Sequence, residues 1–140
     1  MCRIGVYFKI DIMEYYFSKV LKAGFEDAEK QTVEALKKEG FGIVSEINMH
    51  EKFKAALGVD FKKYKILGAC KPSFALKAVQ MEDKVGVMLP CNVVLIEKDD
   101  GSTEVAAVDP KSSMMAINNP GLASIASEVT EILKKLINGL

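Results

Sequence analysis

Cys70 in YKILGACKP and Cys91 in VMLPCNVVLI are the residues of this chain that join chemical reactivity to a constrained local setting. Each ends or begins a hydrophobic run beside a residue that interrupts it: Lys71 and Pro72 after the first, Pro90 before and Asn92 after the second. Pro72 suits the first position of a helix, where its missing N–H leaves nothing unpaired. Cys70 then stands two residues ahead of that helix, close to its free N–H groups and the positive end of its dipole, with Lys71 beside it. If the strands around residues 66 and 94 are neighbours in one sheet, the two sulfurs approach each other. Two chemistries follow: a reversible dithiol and disulfide pair, or two soft ligands for a metal. A structural role competes with both, because free cysteine is among the most buried residue types and packs as a small hydrophobe. The absence of a CxxC spacing or an adjoining histidine favours that plainer role.

A metal centre has little support. Structural zinc takes four ligands with short paired spacings, whereas these cysteines lie far apart and the lone histidine, His50, falls in a different element, as a surface or capping residue. No metal and no cofactor is implied. Among the other polar residues, Asn92 is a candidate for orienting a ligand or thiol, although asparagine at a strand start usually bonds the local backbone. Glu46, in EGFGIVSEI, is the acidic residue most worth following, yet strand alternation also allows it a solvated face. Asp109 before Pro110 reads as a turn builder. Gly40, Gly42 and Gly68 make no phosphate-binding loop, and Gly68 reads as a point of close packing.

The 140 residues suit one domain, residues 1–140, with enough chain to bury a core without staples. Lys plus Arg balance Asp plus Glu at 19 each, so no positive field gathers nucleic acid, and nucleic-acid binding is disfavoured. Arg3, Lys9 and Asp11 interrupt the amino terminus, and no apolar stretch approaches the roughly 20 residues that cross a bilayer. A cytoplasmic location without membrane contact is the expectation, with the three cysteines reduced.

Hydrophobic periodicity supplies the elements that must position the thiols. Ile4, Val6, Phe8, Ile10 and Ile12 alternate with polar neighbours, which predicts an extra N-terminal strand within residues 1–14. A strand over 15–21 follows, then a helix over 25–39 whose Phe25, Ala28, Thr32 and Leu36 share a face, with Glu26–Lys30 and Glu34–Lys38 as pairs four apart. A strand over 41–47, a helix over 49–57 and a strand over 64–69 lead to the turn at Cys70 and Lys71 and a helix over 72–81. Val85 to Leu89 forms an apolar segment cut by Pro90, and Cys91 to Lys98 resumes as a strand. Asp100 and Gly101 suit a type I′ turn that returns Thr103 to Val108 as its hairpin partner. Asn119 caps a last helix with an apolar face from Leu122 to Ile137, broad enough to cover a sheet.

In this order, EGFGIVSEI, LGVDFKKYKILGACKP, LPCNVVLIE, AAVDP and the closing helix resemble the domain of unknown function family numbered 302, over residues 15–140. The resemblance implies an α+β, two-layer fold with a mostly antiparallel sheet packed against helices, in strand–helix–strands–helix order. It also implies a dimer, and no assigned activity. The expected function is therefore a homodimeric, non-enzymatic module that binds a small molecule or partner in a cleft near Cys70, Lys71, Pro72, Pro90 and Cys91. The alternative is a thiol-dependent redox or sulfur-handling protein using Cys70 and Cys91.

Overall fold

A computed structural model describes residues 14–140, and the alternating segment read above as an extra strand lies outside the described residues. The chain runs β1 (Tyr16–Leu21), α1 (Phe25–Lys38), β2 (Gly42–Asn48), α2 (Met49–Leu57), β3 (Tyr64–Cys70), α3 (Pro72–Met81), a 3-10 segment (Asp83–Met88), β4 (Cys91–Glu97), β5 (Thr103–Val108), α4 (Pro110–Ser113) and α5 (Pro120–Asn138). The five strands form one sheet in the order β1-β5-β4-β3-β2, every neighbouring pair antiparallel. This is the α+β, two-layer arrangement expected from the sequence.

Period-two alternation decides which side of the sheet is dry. Leu67, Val93, Leu95, Val105 and Ala107 point inward and are fully buried. They meet Phe25, Ala28 and Leu36 from α1 and Val129, Leu133 and Ile137 from α5. The opposite side carries Tyr16, Val20 and Ile47, all exposed, around half-buried Ile66, Val94, Ile96 and Ala106. A smaller cluster of Ala78, Val85 and Leu122 sits under α3, packed by Leu89, Met114 and Ile117.

Several local expectations change. The β4–β5 connection is a three-residue loop rather than a two-residue type I′ turn. Lys98 N–H bonds Ser102 O (2.9 Å), Gly101 N–H bonds Lys98 O (3.1 Å), and Gly101 alone takes a positive φ of 86°. A type I′ turn needs positive φ at both central residues, and Asp100 escapes that strain by accepting the Ser102 N–H at 3.0 Å instead. Glu26 does not pair along its helix; it reaches Lys63 across to the start of β3 at 3.3 Å. Val85, in the apolar segment before Pro90, is buried on a 3-10 segment. That geometry turns it toward α3 and α5.

Gly68 fixes how closely β2, β3 and the approach to β4 can lie. A Cβ at this position would overlap Ser45 Oγ and sit 2.7 Å from Pro90 Cγ, and a proline ring cannot swing aside. The chain shifts register between Ile43 and Ser45, which places Ser45 opposite Gly68. Gly68→Ala should therefore lower the unfolding free energy by about 1–3 kcal/mol through overpacking. Urea denaturation of the variant measures this; an unchanged midpoint would mean that strands β2 and β3 separate at no cost.

Candidate functional site

Antiparallel pairing of β3 with β4 is what brings the thiols to one place. Ala69 lies directly opposite Cys91, and Cys70 is the next residue, where β3 ends. Helix α3 begins at Pro72, its first turn closed by Phe74 N–H and Ala75 N–H on Lys71 O, both at 3.0 Å. The helix thus leaves the strand end over the same corner of the sheet, and α5 crosses beneath it. Between them lies a cleft lined by Cys70, Lys71, Pro90 and Cys91, and by Phe41, Phe74, Ala75, Ala78, Leu122, Ile125, Ala126 and Val129.

The two helices contribute small residues to the walls of the cleft, Ala75 and Ala78 on α3 and Ala126 on α5, beside larger ones, Phe74 on α3 and Leu122, Ile125 and Val129 on α5. Its volume is about 40 Å³. One water needs roughly 10–15 Å³, so the space suits a group of a few non-hydrogen atoms. Lys71 is the one charged residue among its walls. The Lys71 ammonium lies 5.0 Å from the centre of the Phe74 ring and 5.9 Å from that of Phe41, a cation–π arrangement that holds it against the apolar rim.

Both cysteines are free thiols. Cys91 is 9% exposed, Cys70 half-buried. Burial pushes the Cys91 thiol from its ordinary 9.0 up to about 11, and the nearby Cys70 adds to the shift by opposing a second negative charge. Cys91 is accordingly protonated at neutral pH and packs as an apolar wall.

Of the residues singled out by sequence, Cys70, Lys71, Pro90 and Cys91 come together, and three others do not join the cleft lining. Pro72 is exposed at the start of α3. Asn92 is exposed on the other side of the sheet, in a shallow trough with Tyr15, Tyr16, Tyr64, Val94, Ile96, Glu104 and Ala106. Glu46 faces Leu67 across β2 and β3 and binds Lys65 at 3.0 Å, opposite a second carboxylate, Glu29, at 2.7 Å. Burial alone would lower the Lys65 pKa, but the two carboxylates outweigh it and hold the group above the usual lysine value. Glu46 thus serves an ion-pair cluster that ties β2 and β3 to α1.

His50 accepts a hydrogen bond at Nδ1 from Tyr64 N–H (3.0 Å) and stands edge-on to Phe25, so it joins α2 to the start of β3 instead of lying free on the surface. Asp109 caps α4, accepting from Lys111 N–H at 3.0 Å and from Thr130 Oγ1 at 2.7 Å. Among the described residues no three His, Cys, Asp or Glu side chains converge as metal ligands would. Sequence reading missed the other walls of the cleft, the Phe41 and Phe74 rings and the alanines Ala75, Ala78 and Ala126, because which side chains come to face one another after folding leaves no periodic pattern.

Because the folded protein holds the Cys91 proton more tightly than the unfolded chain does, the stability this provides is complete below about pH 9 and drains away as pH climbs toward 11. The loss amounts to about 2–3 kcal/mol. Denaturant melts of wild type and Cys91→Ala across this range should show a smaller fall in the variant. Parallel curves would show that Cys91 ionises in the folded protein as it does in the unfolded chain.

The comparisons extend this description. No curated protein matches the chain. A crystal structure of an uncharacterized conserved protein DUF302 from Bacillus stearothermophilus is similar over 90% of this chain and 98% of that one, at 26% identity and a TM-score of 0.82. The model of the domain of unknown function DUF302 matches residues 17–140, which takes in every described element from within β1 to the end of α5. This chain belongs to the DUF302 family.

Proposed function

We propose that this protein is a homodimeric binding module whose cleft between α3 and α5 takes a small, largely apolar molecule. The observation that carries this reading is the chemistry of the walls: a preformed hollow with aliphatic and aromatic sides and a single cation at its rim. Such a lining favours transfer of apolar atoms out of water and fixes their orientation through one polar contact. The thiol-dependent alternative draws on the presence of both cysteines in that hollow. Burial weakens it at Cys91, because a thiol with a pKa of about 11 is a poor nucleophile at neutral pH, and leaves half-buried Cys70 as the sulfur that would have to react.

A second copy of the chain is the partner proposed for the open side of the sheet. Tyr16, Val20 and Ile47 expose apolar surface there, and one carboxylate, Glu104, is countered by Lys98 at 3.4 Å. In a two-fold interface each patch meets itself, so a neutral apolar patch pairs without setting like charges together.

Butan-1-ol is a suitable first probe, since it matches the size and polarity of the hollow. Amide resonances of α3 and α5 should shift saturably with it, and Ala75→Phe, which fills the rim without touching the inner core, should abolish the response while the melting temperature holds. Shifts spread evenly over the molecule, or persisting in Ala75→Phe, would remove this site. Light scattering tests the assembly: wild type and a variant lacking residues 1–13 should both be dimers, and Val94→Lys a monomer. A monomeric wild type, a dimeric Val94→Lys, or a dimer lost with residues 1–13 would each overturn the proposed interface.

A further inference from the structure

We infer that the ligand carries a single negative charge: a short apolar chain ending in a carboxylate, with the chain between α3 and α5 and the carboxylate on Lys71. This deepens the cleft reading of the preceding subsection and rests on it. The ground is the condition of Lys71. Among the described residues its ammonium has no carboxylate within ion-pair distance, a condition it shares with most lysines other than Lys54, Lys63, Lys65 and Lys98, but it alone among the described lysines lines the cleft. It is nevertheless held in place. Its stem passes the Gly40 backbone, where a Cβ would lie 3.4 Å from Lys71 Cε, and its charge rests on the Phe74 and Phe41 rings. Those rings displace water from part of the ammonium without neutralising it, so an arriving anion meets a cation that is already positioned and partly dried.

Two features set the charge and size of the ligand. Lys71 is the sole charged wall residue, and the first turn of α3 adds only the partial positive charge of a helix start. One full charge matches a monoanion; a phosphate dianion would keep half its charge unmatched in an apolar rim. The hollow of about 40 Å³ limits the remainder to a few carbons. Cys91, kept protonated by burial, lines the apolar part and places no fixed charge against such a chain.

Butyrate and butan-1-ol share their carbon skeleton and differ at the head, so the ratio of their affinities reads the contribution of the charge. For wild type, titrated by amide shifts at neutral pH and low salt, butyrate should bind about fivefold more tightly, the gain expected of one partly screened ion pair. The preference should shrink toward unity in about 1 M salt, where the Debye length falls to roughly 3 Å. In Lys71→Met, which keeps an unbranched apolar stem, the ratio should fall to about one. If butan-1-ol binds wild type and butyrate binds no better, or if Lys71→Met keeps the preference, the anion assignment fails while the cleft reading stands. If neither probe shifts the α3 and α5 amides, both fail together.

Discussion

One-sided burial of the sheet is the constraint on which the rest of this molecule depends. Leu67, Val93, Leu95 and Val105 are removed from water against Leu36 of α1 and Leu133 and Ile137 of α5. At roughly 25 cal/mol per Å² of apolar area, this contact outweighs any of the exposed ion pairs, each of which contributes at most about 1 kcal/mol. Because the strand period is two, the same burial fixes register. A slip of one residue would send the inner set outward, so Ala69 must face Cys91, and the end of β3 must meet the start of β4.

The cleft is a consequence of that layer rather than a separate design. The helical cover extends to the β3–β4 corner, where Ala75, Ala78 and Ala126 leave space between the larger Phe74, Leu122, Ile125 and Val129. Close approach at Gly68 lets Pro90 ride against β3 and complete the corner.

The same layering explains the polar residues that looked functional in isolation. Glu46 and Glu29 both converge on Lys65, so their charges are answered at the seam of β2, β3 and α1. His50 and Asp109 satisfy backbone N–H groups at element junctions, where an unpaired donor would be costly. Thr130, buried on α5, donates to Asp109 and accepts from Lys111 N–H, linking the start of α4 to the last helix. Lys71 differs by its place: it lines the cleft with its charge on the Phe74 and Phe41 rings and no carboxylate within ion-pair distance among the described residues.

Local patterning determined much on its own. The alternation of β4 and β5, the three- and four-residue spacing along α5, Pro72 and Pro120 at helix starts and the Asn119 cap, which accepts Leu122 N–H at 3.3 Å, are all legible because their causes lie within a few residues along the chain. The sequence also marked Cys70 and Cys91 as worth locating. Only the tertiary structure decided that they share a hollow, that Asn92 turns to the opposite side of the sheet, and that Glu46 is taken by Lys65. The β4–β5 loop, by contrast, is a local case: its shape follows from Asp100 accepting from Ser102 N–H two residues on. The physical reason is one of range. Propensity and periodicity act between neighbours in the chain, whereas a cavity arises from side chains missing at positions that become neighbours only after α3 and α5 have packed.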